Sequence, residues 1–202
     1  WRALIAPMMY PNTGNMGLPV VLYAFGSAGF AYGITVMVTV SLFQFTLGAV
    51  LSSSGNPIKT LIKTPTVYAI LISMTLLLTD TPLPLWMANT VDLMSGFTVP
   101  LMLITLGVSL ASIQVESLRS GIGFSLIRIP LAAAAAWFIS GWLGLPPLAQ
   151  SILVVQMCMP VAVFNYLFAQ RARREPAYVA SLVFCSTLMA LIYLPILLAL
   201  LM

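Results

Sequence analysis

The sequence predicts an all-α integral membrane protein with about seven transmembrane helices, two of them broken. Of the 202 residues, 61% are hydrophobic and only 6% are charged, against about 25% charged in an average soluble domain. Charged side chains are absent from 3–58, 64–79, 93–115, 129–170 and 176–202, and a membrane-crossing helix needs about 20 apolar residues. These runs are apolar on every face, whereas β-barrel strands alternate polar and apolar positions over about 10 residues. A mean hydropathy of +1.07 also excludes a disordered chain.

The first span begins at the N-terminus, breaks near Pro11, resumes at about Leu18 and ends at Gly26. The second covers about Phe30 to Leu51. SSSGNPIKTLIKTP then reads as a loop carrying Lys59 and Lys63. The third span, about Thr66 to Leu78, is closed by the turn-rich TDTPLP. The fourth runs from about Thr90 to Leu110, with Trp86 as an interfacial anchor. SIQVESLRSG is a polar linker. The fifth span is about Ile122 to Leu143, ending in GLPP. The sixth, about Leu148 to Gln170, is broken near Pro160. RARREP separates it from the seventh, about Ala177 to Met202. Gly26, Gly29 and Gly33 are expected in the turn after the first span. Ala132–Ala136 permits close helix packing.

The charges support this count. Arg2 precedes span one, and Lys59 and Lys63 follow span two. Arg119 and Arg128 fall at the start of span five, and Arg171, Arg173 and Arg174 follow span six. All eight basic residues then lie on one side, which the positive-inside rule makes cytoplasmic. The N-terminus of the chain is expected in the cytoplasm and the C-terminus outside. The absence of an initial Met, and a start inside a span, predict upstream residues.

Absences exclude several activities. Without His there is no Ser-His or Cys-His pair and no His-ligated metal. Cys158 and Cys185 sit in apolar runs without metal-ligand spacing. An enzyme, a metal site and a cofactor are not expected. The basic residues sit between spans, so they are no nucleic-acid signal.

Two segments carry the functional signal. APMMYPNTGNMGLPVV places Pro7, Pro11, Gly14, Gly17 and Pro19 in one apolar span. Proline removes a backbone donor, and Asn12, Thr13 and Asn15 supply polar groups where the backbone is freed. VQMCMPVAVFNYLF breaks at Pro160, with Gln156, Asn165 and Tyr166 nearby. The two broken spans cross in opposite directions and each precedes one further span. Interrupted spans in inverted halves point to a transporter binding site. Each break frees the N-terminus of a half-helix, whose N–H groups and dipole favour anions. Asn donates to a carboxylate without placing a charge in lipid. A small organic anion is the expected ligand.

PNTGNMGLP, followed by a span and a basic loop, resembles the fourth helix of the auxin efflux carrier family. FTVPLMLITLGVSLA (97–111) is similar to its seventh helix, and MPVAVFNYLFAQRA (159–172) to its ninth. The resemblance implies a ten-helix transporter of two inverted five-helix repeats, of which this chain supplies helices four to ten. It implies a crossover of the two broken helices marked by Pro11 and Pro160. Substrate would lie beside Asn12, Thr13, Gly14, Asn15, Asn165 and Tyr166. It further implies a scaffold and homodimerisation segment, 65–110, and an elevator-like transport domain made of 1–54 and 121–202. The short linker after the second span favours a bacterial inner (plasma) membrane protein.

Asp92 is a possible ion-coupling residue, for a proton or sodium, though WMANTVD also suits a solvated helix end. Arg128, about two turns inside its span, is expected to snorkel to the cytoplasmic face. It could also attract an anion there. A sodium-coupled symporter of the bile-acid type is the nearest alternative. A seven-span receptor without flux is the alternative of another class.

Overall fold

The computed structural model describes residues 2–48, 62, 65–112 and 115–202. Their regular structure is helical: α1 (Arg2–Met9), α2 (Leu18–Phe43), α3 (Pro65–Leu78), α4 (Leu85–Gly96), α5 (Thr98–Ser112), α6 (Leu118–Trp142), α7 (Pro147–Met157), α8 (Val163–Ala172) and α9 (Pro176–Leu201). Wide π-turns at Thr13–Gly17 and Gln44–Gly48 flank α2. Lys59, Lys63 and most of the loop read around them lie outside the described residues.

Among the described residues, four stretches are long and apolar enough to cross a membrane: Thr13–Leu47, Leu85–Ser112, Leu118–Trp142 and Pro176–Leu201. The first is folded in two. Gly26 has φ 67° and ψ −163°, a region open almost only to glycine. The chain reverses there, so Gly33 lies against Leu18 and Val21, and Gly14 faces Met37. The Tyr10 hydroxyl closes the far end by donating to the Phe43 carbonyl at 3.1 Å. The turn is Gly26 alone. Gly29 and Gly33, expected in it, are helical and face Ile152 and Gln156 of α7. Small residues there let two backbones approach.

Side-chain contacts orient the passes. The Tyr193 hydroxyl donates to the Cys158 carbonyl at 2.6 Å, and the Ser151 hydroxyl to the Leu201 carbonyl at 3.2 Å, so α7 and α9 are antiparallel. The Ser181 hydroxyl accepts from the Glu116 N–H at 2.8 Å, and the Cys185 thiol lies 3.6 Å from the Leu118 carbonyl. Hence α6 and α9 run parallel. Gly29 beside Ile152 and Gly33 beside Gln156 make the second leg of α2 parallel to α7. This alternation is what successive membrane crossings require. α4 and α5 form one pass bent at Phe97, and it starts five residues before the expected Thr90. The fifth span likewise starts at Leu118, where the Ser117 hydroxyl caps the helix by accepting from the Ser120 N–H.

Two of the three apolar clusters among the described residues meet at the second break. One joins Val21, Ile152, Val155, Met159, Ala190 and Leu194. The other joins Leu106, Val161, Val163, Leu182 and Val183. Both include residues of the second break, so that break is core rather than surface. By contrast α4 buries no residue, and Leu71, Leu77, Trp86, Leu93 and Ile104 are exposed apolar side chains on 65–112.

Candidate functional site

Pro11 has no N–H to give the Pro7 carbonyl, its natural helical partner, so α1 ends. Pro160 does the same beyond α7. The freed groups find one another. Asn12 donates its N–H to the Pro160 carbonyl at 2.7 Å, and Ala162 donates to the Tyr10 carbonyl at 3.2 Å. Pro11 and Val161 form an isolated antiparallel bridge. The two broken spans thus cross and are stitched backbone to backbone. Ser186 accepts from the Val161 N–H at 3.0 Å. Irregular backbone at membrane depth persists only where its polar groups are satisfied in this way.

Arg128 does not snorkel to the surface. It is 2% exposed and donates from Nε to the Pro7 carbonyl at 3.0 Å and from Nη1 to the Met159 carbonyl at 2.8 Å. Snorkelling fails because α6 turns this position toward the crossover, where two orphan carbonyls compete for the guanidinium. One wall of a cavity of about 370 Å³ includes Arg128, Ala132 and Ala136.

On the opposite side of the crossover the two half-helix N-termini line a smaller cavity of about 230 Å³. Pro11, Asn12, Thr13, Gly14 and Asn15 come from the first break, and Ala162 and Phe164 from the second. Met37, Ser41, Gln44 and Phe45 come from the second pass, and Met102 from α5. Phe45 meets Phe164 edge to face, centroids 5.3 Å apart. No lining residue is charged. Asn12 is 6% exposed, and its side-chain amide nitrogen has no acceptor. A buried polar group left so costs about 1–3 kcal/mol.

The structure brings together Pro11, Asn12, Thr13, Gly14 and Asn15, with Pro160 joined to them through its carbonyl. It places Asn165 beneath them, donating to the Tyr10 carbonyl at 3.1 Å and accepting from Gln44 at 3.4 Å. Tyr166 packs on the cluster containing Leu182 and Val183, away from this cavity. Asp92 is exposed on α4 and is not part of the cavity lining. Among the described residues no group of three His, Cys, Asp or Glu side chains could hold a metal ion. Gln44, which the sequence alone does not single out, lines the cavity, and Arg128, expected to snorkel or to attract an anion, sits at the crossover. Arg128 carries a signal in the sequence as the one charged side chain of 122–143, whereas Gln44 shares its span with Thr35, Thr39, Ser41 and Thr46.

Comparison with known proteins places the chain among membrane transporters. The family described as membrane transport protein matches residues 50–198. An uncharacterized transporter of Methanothermobacter thermautotrophicus is 30% identical over 208 residues, covering 97% of this chain and 66% of its own length. The uncharacterized transporter MJ1031 of Methanocaldococcus jannaschii is 25% identical over 202 residues, covering 94% of this chain and 65% of its own. The chain therefore spans just under two thirds of each relative.

Proposed function

This chain belongs to the auxin efflux carrier family of membrane transport proteins, and from that premise we propose that it forms the greater part of a secondary carrier for small organic anions, mono- or dicarboxylates. One observation carries the reading. The buried Asn12 amide, a donor without a protein acceptor, stands in a cavity where two half-helix N-termini converge. A carboxylate supplies the missing acceptor and complements both dipole ends. Gln44 and the Phe45–Phe164 pair form the rest of the wall, and suit the body of a small acid.

Residues 1–54 and 121–202 would move as the transport domain in an elevator-like step, and 65–110 would be the scaffold. The close packing of α2, α6, α7 and α9 and the bare apolar surface of 65–112 support that division. The bare surface would face lipid and a second copy in a homodimer. The protein would reside in the bacterial inner membrane with its basic loops in the cytoplasm, coupled to a proton or sodium. The test is solute counterflow of radiolabelled carboxylates in proteoliposomes made with the protein from its complete gene. Saturable exchange is expected. Binding without exchange would indicate a receptor instead, and neither would exclude carboxylates as the ligand class.

A further inference from the structure

We propose that Arg128 is a positioning residue that sets the charge of the ligand, and that the site is built for a monovalent anion. This rests on the transport reading above. The crossover has two poles. At one, the carbonyl ends of α1 and α7 converge, each carrying about half a negative charge. Arg128 binds the last-turn carbonyl of Pro7 and the Met159 carbonyl just beyond α7. One positive charge thus meets about one negative charge, and that pole is closed.

Among the described residues no carboxylate enters this balance. The chain has four acids, and Asp80, Asp92, Glu116 and Glu175 are all exposed. Arg128 therefore has no carboxylate partner, and an unpaired cation within a span is costly unless it answers a local field. At the other pole the half-helix N-termini line one cavity, through Asn12 and Thr13 of the first break and Ala162 and Phe164 of the second. Together they present about one unit of positive charge. Nothing in the cavity wall opposes it, and the orphan Asn12 amide points to the same need for an acceptor. One negative charge completes the crossover. A second carboxylate would find no second pair of helix ends and no cation, only the neutral Ser41 and Gln44 among Met37, Met102, Phe45 and Phe164.

The test uses butyrate, succinate and butyramide, which share a four-carbon chain and carry one, two and no negative charges at neutral pH. In proteoliposomes of the full-length protein, unlabelled succinate should compete with labelled butyrate about tenfold or more less well than butyrate itself. Equal competition overturns the proposal, and needs no variant. Arg128→Met should raise the half-saturation for butyrate about tenfold or more and leave weak inhibition by butyramide unchanged. Arg128→Lys, which keeps the charge, should restore most of the affinity. An unchanged half-saturation in Arg128→Met also overturns it, as does an equal loss for butyrate and butyramide, which would mark a merely structural residue. If wild-type protein exchanges none of a wide carboxylate panel, the transport reading itself fails and this inference with it.

Discussion

Asn12 donates its backbone N–H to the carbonyl of Pro160 at 2.7 Å, across 148 residues of sequence. Two prolines that each break a helix are thereby brought to one point. Each break supplies the partner that the other lacks. The same crossing turns two carbonyl ends toward Arg128 and two amide ends toward the cavity.

Restoring the first helix should remove function without removing the fold. In Pro11→Ala the new N–H can reach the Pro7 carbonyl and α1 can continue, since an interior proline costs a helix about 3 kcal/mol. Arg128 then shares one of its two acceptors. The melting temperature should hold or rise, while exchange falls about 100-fold from misplacement of the site. Undiminished exchange would mean that the break does not shape the site.

Gly26→Ala isolates backbone strain. A Cβ there meets nothing within 4 Å, yet φ 67° with ψ −163° excludes it. The expected loss is about 1–3 kcal/mol, read as a lowered melting temperature in detergent. An unchanged melting temperature would argue against the hairpin turn.

Gly17 and Gln156 should behave as a coupled pair. A Cβ on Gly17 runs into the Gln156 side-chain oxygen, which has no donor of its own. Gly17→Ala should destabilise the protein, and adding Gln156→Ala should recover part of the loss. A coupling of about 0.5–3 kcal/mol is expected from a double-mutant cycle. Additive losses would separate the two positions.

Gly121 is where α6 crosses α9. A Cβ there would lie 2.6 Å from the Ser181 carbonyl oxygen and 2.7 Å from the Cys185 Cβ. Neither the backbone nor a Cβ can swing aside. Gly121→Val should therefore lower the yield of monodisperse protein, while Gly123→Val, where a Cβ meets nothing, should leave it intact. Equal yields would contradict the observed closeness of the two helices.

The sequence made the breaks legible because proline acts locally. A proline removes an N–H whatever surrounds it, so APMMYPNTGNMGLPVV and VQMCMPVAV announce themselves. The Gly26 turn was visible for the same reason. What surrounds the breaks was less legible. Met102 and Phe45 reach the cavity only through packing between distant passes. Arg128 reads as snorkelling from its depth but is buried at the crossover, because depth along a helix says how far a charge is from water, not which face it occupies. The unpaired Pro7 carbonyl, four residues before Pro11, held the clue: a buried acceptor without a donor attracts one. Asn165 and Tyr166 stand side by side in sequence, yet successive helical positions do not share a face. One braces the crossover and the other joins the core.

The most direct measurement is counterflow by Asn12→Ala beside the wild type, at equal amounts of inserted protein, with labelled butyrate as probe. Losing a hydrogen bond to a charged ligand is worth about 1.5–3 kcal/mol, about a 10- to 100-fold rise in half-saturation. That rise, with melting temperature unchanged, is the predicted result. Wild-type half-saturation in Asn12→Ala would contradict it and place the anion elsewhere than at the crossing of the two broken helices.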